Sequence, residues 1–152
     1  MLGPIVNPCF PKYQLLGVYN LEMARLYNYL LQNTQNEYVI AHSFDGYDEI
    51  SLTGNYKIIS RDKEQIIEPE IKLKQEDLSG GKSVEESAKL FMNVLNGKGT
   101  KAQNEVIVAN AGIAIQCVRK NNSLKDCMHE AKESLESMKA LNTYKKLISL
   151  IK

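Results

Sequence analysis

Tryptophan is absent, and cysteine, proline and surplus charge are all scarce. The three cysteines, Cys9, Cys117 and Cys127, are odd in number and scattered. That argues against a disulfide framework and fits a reducing cytoplasm. Cys117 lies in an apolar helical run and reads as core, while Cys9 and Cys127 have no metal-ligand spacing. Nineteen basic residues nearly balance eighteen acidic ones, for a net charge of +1, so no basic footprint points to nucleic acid. No apolar run reaches the length of a membrane span, and no secretory leader is visible at the N-terminus. The 152 residues, 43% of them apolar, suffice for one domain with a real core, so residues 1–152 read as a single α/β domain.

Three of the four prolines, Pro4, Pro8 and Pro11, fall in the first eleven residues. Proline fixes φ and pushes the preceding residue toward extended geometry, so residues 1–13 read as a stiff hinge segment rather than a helix. A rigid linker normally joins two bodies, and the expectation is that another segment stands before Met1.

Gln14–Val18 reads as a short buried strand. Asn20 can cap the following helix, whose apolar residues Leu21, Ala24, Tyr27, Leu30 and Leu31 recur at helical spacing to about Gln32. Glu37–Ser43 is the next strand. Strand–helix–strand order with short turns implies a parallel pair. Further extended runs are expected at Ile50–Leu52, at Tyr56–Ile59, and from near Gln65 to Ile71, where Pro69 suggests an edge. The expected fold is α/β, a mostly parallel sheet with flanking helices and hairpin additions.

The stretch His42-Ser43-Phe44-Asp45-Gly46-Tyr47-Asp48-Glu49-Ile50-Ser51-Leu52 organises the chain. It carries two adjacent carboxylates, Asp48 and Glu49, just past a strand end, where ligands collect in open α/β sheets. Hard oxygen donors suit Mg²⁺, which is usually held by one or two carboxylates plus waters and substrate phosphates. Neighbours on a regular strand face opposite ways, so both acids can share an ion only if the backbone leaves the strand there, as Gly46 permits. The alternative is a solvated acidic turn.

Beyond a loop over Lys74–Gly81, Gly81-Lys82-Ser83 resembles the end of a phosphate-binding loop, but Glu76 stands where that pattern needs another glycine. Ser83 with Glu86 reads instead as a capping box, opening a helix to about Asn96 that Gly97 stops. Ala102–Lys120 is helical in period and apolar nearly all round from Val106 to Val118, as in a buried helix. Ser123 caps a helix to about Met138. A last helical piece, Asn142–Lys152, places Leu147, Ile148, Leu150 and Ile151 against the domain. His129, among Glu130, Lys132 and Glu133, reads as a surface residue.

Taken together, Leu2-Gly3-Pro4-Ile5-Val6-Asn7-Pro8, Gln14-Leu15-Leu16-Gly17-Val18-Tyr19, Asp45-Gly46-Tyr47-Asp48-Glu49-Ile50-Ser51, Asn110-Ala111-Gly112 and Ser137-Met138-Lys139-Ala140-Leu141 resemble the anthranilate phosphoribosyltransferase family over nearly the whole chain. The resemblance implies the large domain of a nucleoside phosphorylase/phosphoribosyltransferase-like fold. It also implies transfer of phosphoribosyl from phosphoribosyl pyrophosphate to anthranilate in tryptophan biosynthesis, with release of pyrophosphate. By similarity, Asp48 and Glu49 match the acidic pair that holds Mg²⁺, and Gly3 and Pro4 match a hinge segment lining the anthranilate end of the site. The family is usually a cytoplasmic homodimer through a helical domain. That domain, the glycine-rich diphosphate loop, the Lys-His-Gly-Asn-Arg segment and the arginine for the anthranilate carboxylate have no counterpart here. The expectation is therefore a C-terminal portion that contributes no catalytic residue of its own and is inactive alone. The competing expectation is a stand-alone, non-catalytic domain binding Mg²⁺, phosphate or a partner. A nucleoside phosphorylase or nucleic-acid-binding relative is disfavoured by the charge balance and by the Asp-Gly-x-Asp-Glu pattern.

Overall fold

The computed structural model describes residues 3 and 5–151. It is an α/β structure of four strands and five α-helices. In chain order these are β1 (Tyr13–Gly17), α1 (Leu21–Gln32), β2 (Glu37–Ser43), β3 (Tyr56–Ser60), β4 (Glu64–Ile67), α2 (Val84–Leu95), α3 (Lys101–Val118), α4 (Leu124–Glu136) and α5 (Lys139–Ile151). One 3-10 turn, Gln75–Leu78, interrupts the segment expected to be a plain loop.

The strands lie in the order β1-β2-β3-β4. β1 and β2 run parallel, joined through α1, with Leu15 opposite Val39 and Gly17 opposite Ala41. The other two pairings are antiparallel. The sheet is thus mixed rather than mostly parallel. A parallel return needs a crossover, usually a helix, and the chain from β2 to β3 contains none. β4 stops at Ile67, short of the expected Ile71, and lies at an edge, as Pro69 suggested.

β2 is buried along nearly its whole length because both sheet faces are covered. Tyr38 and Ile40 pack with Leu16, Val18 and the α1 residues Met23, Ala24, Tyr27 and Leu31. Val39 and Ala41 pack on the other face with Ile58 and with Ala109, Ile113 and Cys117 of α3. Ile5, on the proline-rich arm, packs against the α1 side.

Local chemistry sets the helix starts. The side chains of Asn20, Ser83 and Ser123 accept from the backbone N–H groups of Met23, Glu86 and Asp126. At α2 the Glu86 carboxylate reaches back to the N–H of Lys82, one residue before the position a capping box uses. The reciprocal box forms at α3, between Thr100 and Gln103. Arg61 holds the far end of α1. Its guanidinium donates to the carbonyls of Gln32, Thr34 and Asn36 at 2.9, 2.8 and 2.7 Å and lies over the Tyr38 ring.

α3 is sandwiched between the sheet and α4, although Ile107 and Val118 are exposed, so its apolar girth is not wholly covered. Gly112 lets α4 approach: a Cβ there would stand 2.6 Å from the Met128 side chain and 3.0 Å from its Cα. α5 overturns an expectation. Leu141 is buried and Tyr144 packs edge-on against Phe91, but every described residue from Lys145 onward is exposed. Leu147, Ile148, Leu150 and Ile151 are therefore not against the body, because the helix runs past the surface that its first turns contact.

Cys117 and Cys127 are buried and Cys9 is exposed. Burial pushes both buried thiols up, away from the reactive thiolate. An alkylating reagent is expected to modify Cys9 in the native chain and the other two only on unfolding, as read by mass spectrometry. Gly112→Ala is expected to cost about 1–3 kcal/mol in urea unfolding, the usual range for overpacking.

Candidate functional site

The sequence between β2 and β3 forms a loop, 44–55, at the carboxyl ends of β1 and β2. It begins as a tight turn. Gly46, with φ +95°, donates its N–H to the Ser43 carbonyl, and the Ser43 N–H donates to the Tyr47 carbonyl. A positive φ is where glycine is favoured. Asp45 turns back across the loop, accepting from the Ser51 hydroxyl at 3.1 Å and from the Thr53 hydroxyl. Its carboxylate is thereby bonded within the loop although the residue is exposed, as are Asp48 and Glu49.

Four features fix the strand ends and the loop that rests on them. Gly17 leaves room for the Asp48 backbone, since a Cβ on Gly17 would fall 1.6 Å from the Asp48 carbonyl oxygen. His42, buried at the end of β2, has Nδ1 2.8 Å from the Val18 carbonyl. A carbonyl can only accept, so Nδ1 carries the proton. Ser43, fully buried, donates its hydroxyl to the Glu49 carbonyl at 2.6 Å and accepts from the Ser51 N–H at 3.2 Å. Asn110 of α3 accepts from the Ile50 N–H at 2.9 Å and donates to the Ile50 carbonyl at 2.8 Å.

The last contact explains why the expected strand Ile50–Leu52 is missing. An amide side chain, not a neighbouring strand, satisfies the Ile50 backbone, and Leu52 adopts φ +59°, outside the extended region. Ile50 itself is completely buried against α3.

The loop therefore presents two neighbouring carboxylates on an irregular backbone, the condition under which adjacent acids can serve one ion. Among the described residues no group of three or more His, Cys, Asp or Glu forms a metal cluster. The donor set is all oxygen and incomplete by itself. That fits Mg²⁺, which keeps waters and takes phosphate oxygens, and does not fit a closed structural zinc site. A cavity of about 260 Å³ reaches the loop, lined by Tyr47, Glu49, Leu90, Phe91 and Val106 among others. Among the described residues, Glu49 is the one carboxylate lining this largely apolar hollow.

Gly3 is exposed on the proline-rich arm, with nothing within 4 Å of where its Cβ would be. Pro4 lies outside the described residues. The structure thus leaves Asp48 and Glu49 exposed side by side on the loop, with Glu49 alone of the two lining the cavity, and leaves Gly3 in the open. Gly17, Ser43, Asp45, Ser51, Thr53 and Asn110 were not singled out as site residues from the sequence. The hydroxyls at 51 and 53 following Asp45 were a visible signal for the loop closure. A lone amide in the apolar α3 run was a visible signal for the clamp.

The fold is a mixed four-stranded α/β sheet with its acidic loop at the carboxyl ends of β1 and β2, the end where ligands collect in open α/β sheets. The comparisons make this specific. Residues 1–141 match the model described as "Glycosyl transferase family, a/b domain", and the chain belongs to that family. It is 54% identical to the anthranilate phosphoribosyltransferase of Flavobacterium psychrophilum and 55% identical to that of Christiangramia forsetii, over 99% of this chain and 46% of each relative. The chain spans about half the length of the curated relatives it matches. The crystal structure of anthranilate phosphoribosyltransferase from Thermus thermophilus superposes with a TM-score of 0.88 at 26% identity, over 97% of this chain and 46% of that one. The Saccharomyces cerevisiae enzyme in complex with PRPP and Mg shares the fold, with a TM-score of 0.72 at 23% identity over 86% of this chain and 39% of that one.

Gly17→Ala is expected to destabilise the chain by about 3 kcal/mol, the upper end of the overpacking range, because the Asp48 backbone must move. Gly3→Ala, with open space around it, is expected to leave the urea midpoint unchanged.

Proposed function

We propose that this chain is the metal-binding α/β portion of an anthranilate phosphoribosyltransferase. In this reading the complete protein transfers phosphoribosyl from phosphoribosyl pyrophosphate to the amino group of anthranilate, with pyrophosphate leaving. The observation that carries the proposal is the exposed Asp48–Glu49 pair on a pinned loop at the strand ends, in a chain 54% identical to such an enzyme over 99% of its length. The yeast protein of the same fold, reported with PRPP and Mg, supports the choice of Mg²⁺.

Asp48 and Glu49 would hold the ion, whose contribution when bound is to neutralise charge on the departing diphosphate. The protein's own part is to keep two carboxylates aimed outward on a fixed backbone, so that little rearrangement is needed when the donor arrives. Gly3 and Pro4 are proposed to line the anthranilate end, where a glycine admits close backbone approach and a proline offers a rigid apolar wall. Residues 1–152 form one α/β domain and 1–13 its hinge. The donor loop and the anthranilate arginine belong to a preceding segment, with a helical domain through which the protein is a homodimer in the cytoplasm.

The isolated 152-residue chain is expected to show no turnover of anthranilate, because donor positioning supplies most of the catalysis. In the full-length protein, Asp48→Asn with Glu49→Gln is expected to lower kcat/KM roughly a hundredfold or more and to flatten the response to added Mg²⁺. Wild-type activity across a magnesium titration of the double variant would reject the metal assignment.

A further inference from the structure

We infer that Ser43 and Asn110 are positioning residues for the Glu49 carboxylate, acting through its backbone. The inference rests on the reading of Asp48 and Glu49 as Mg²⁺ ligands. Among the described residues, no hydrogen bond or ion pair holds the Glu49 carboxylate itself. The peptide units on either side of its Cα therefore fix the place and direction in which the side chain leaves the backbone.

The peptide on the carboxyl side is gripped from two directions. Ser43 donates to the Glu49 carbonyl at 2.6 Å, while Asn110 accepts from the Ile50 N–H of the same peptide at 2.9 Å. Asn110 extends its grip by one unit, donating to the Ile50 carbonyl at 2.8 Å. Both clamps stand on rigid ground. Ser43 ends β2, which is paired with β1 on one side and β3 on the other. Asn110 sits in the middle of α3, tied to its own helix through the Val106 carbonyl at 2.9 Å.

The chemistry is specific to these side chains. An amide offers an acceptor and a donor together, which is what an unpaired peptide needs; a carboxylate offers no donor and an aliphatic chain offers neither. Asparagine is a poor interior helix residue, so its place in the apolar α3 run calls for a reason, and the loop supplies it. A ligand-bearing backbone held in this way corresponds to the outer-shell support that orients metal ligands elsewhere.

The test uses the full-length protein, with Mn²⁺ binding followed by electron paramagnetic resonance and Mg²⁺ activation followed by steady-state rates. Asn110→Ala and Ser43→Ala are each expected to raise the Mn²⁺ Kd and the half-activating Mg²⁺ concentration about tenfold, with kcat retained at saturating Mg²⁺. Asn110→Asp, which keeps the acceptor but loses the donors, is expected to weaken binding as well. A purely structural role would lower Tm without moving the Mn²⁺ Kd. If Asn110→Ala fails to fold by circular dichroism, Ser43→Ala decides the matter alone. Wild-type Mn²⁺ affinity in the folded variants, alongside loss of binding in the Asp48→Asn, Glu49→Gln control, would overturn the positioning role only. Wild-type affinity in that control would overturn the metal reading and the inference with it.

Discussion

The peptide between Glu49 and Ile50 has no strand beside it, and the site depends on what replaces one. A buried backbone amide left unpaired is costly, so a chain leaving a sheet must find partners at once. Here one buried hydroxyl and one helix amide provide them. The loop is therefore irregular without being loose. Had Ile50–Leu52 formed a strand, Asp48 and Glu49 would have continued toward a pleat, with side chains on opposite faces. The same constraint ties the sheet to α3, because the clamp works only while α3 lies against the face that buries Val39, Ala41 and Ile50.

Two further features follow from that geometry. Gly17 admits the Asp48 carbonyl where any side chain would collide, so the end of β1 is moulded to the loop above it. Asp45, bonded to Ser51 and Thr53, closes the loop internally and leaves the next two acids with no role inside the fold. One aspartate serves shape and its neighbours serve solvent or ligand, although all three are close in sequence. Distance along the chain does not separate these roles, whereas hydrogen-bond partners do.

Local signals were legible in the sequence. β2 was readable from its apolar run, and α1 from its period together with Asn20. The starts of α2 and α4 followed from Ser83 and Ser123, because a cap acts within three residues. The acidic pair was readable as a candidate site, and the resemblance of several ordered motifs reached the family that the comparison identifies. What failed depended on contacts across the chain. The sheet turned mixed because loop 44–55 holds no crossover helix, which the apolar stretch at Ile50–Leu52 concealed. The end of α5 stayed uncovered because amphipathic period shows which face is apolar and not whether anything lies opposite it.

By itself, then, the sequence determined most element types, the helix starts at Asn20, Ser83 and Ser123, and the family, all of which follow from neighbouring residues or from ordered motifs. Only the tertiary structure decided that Asn110, sixty positions away, completes the backbone at Ile50, and that Gly17 makes room for Asp48. The physical reason is that a hydrogen bond or a close approach is a property of two places brought together. Nothing within either short stretch specifies its partner until the sheet and α3 have packed.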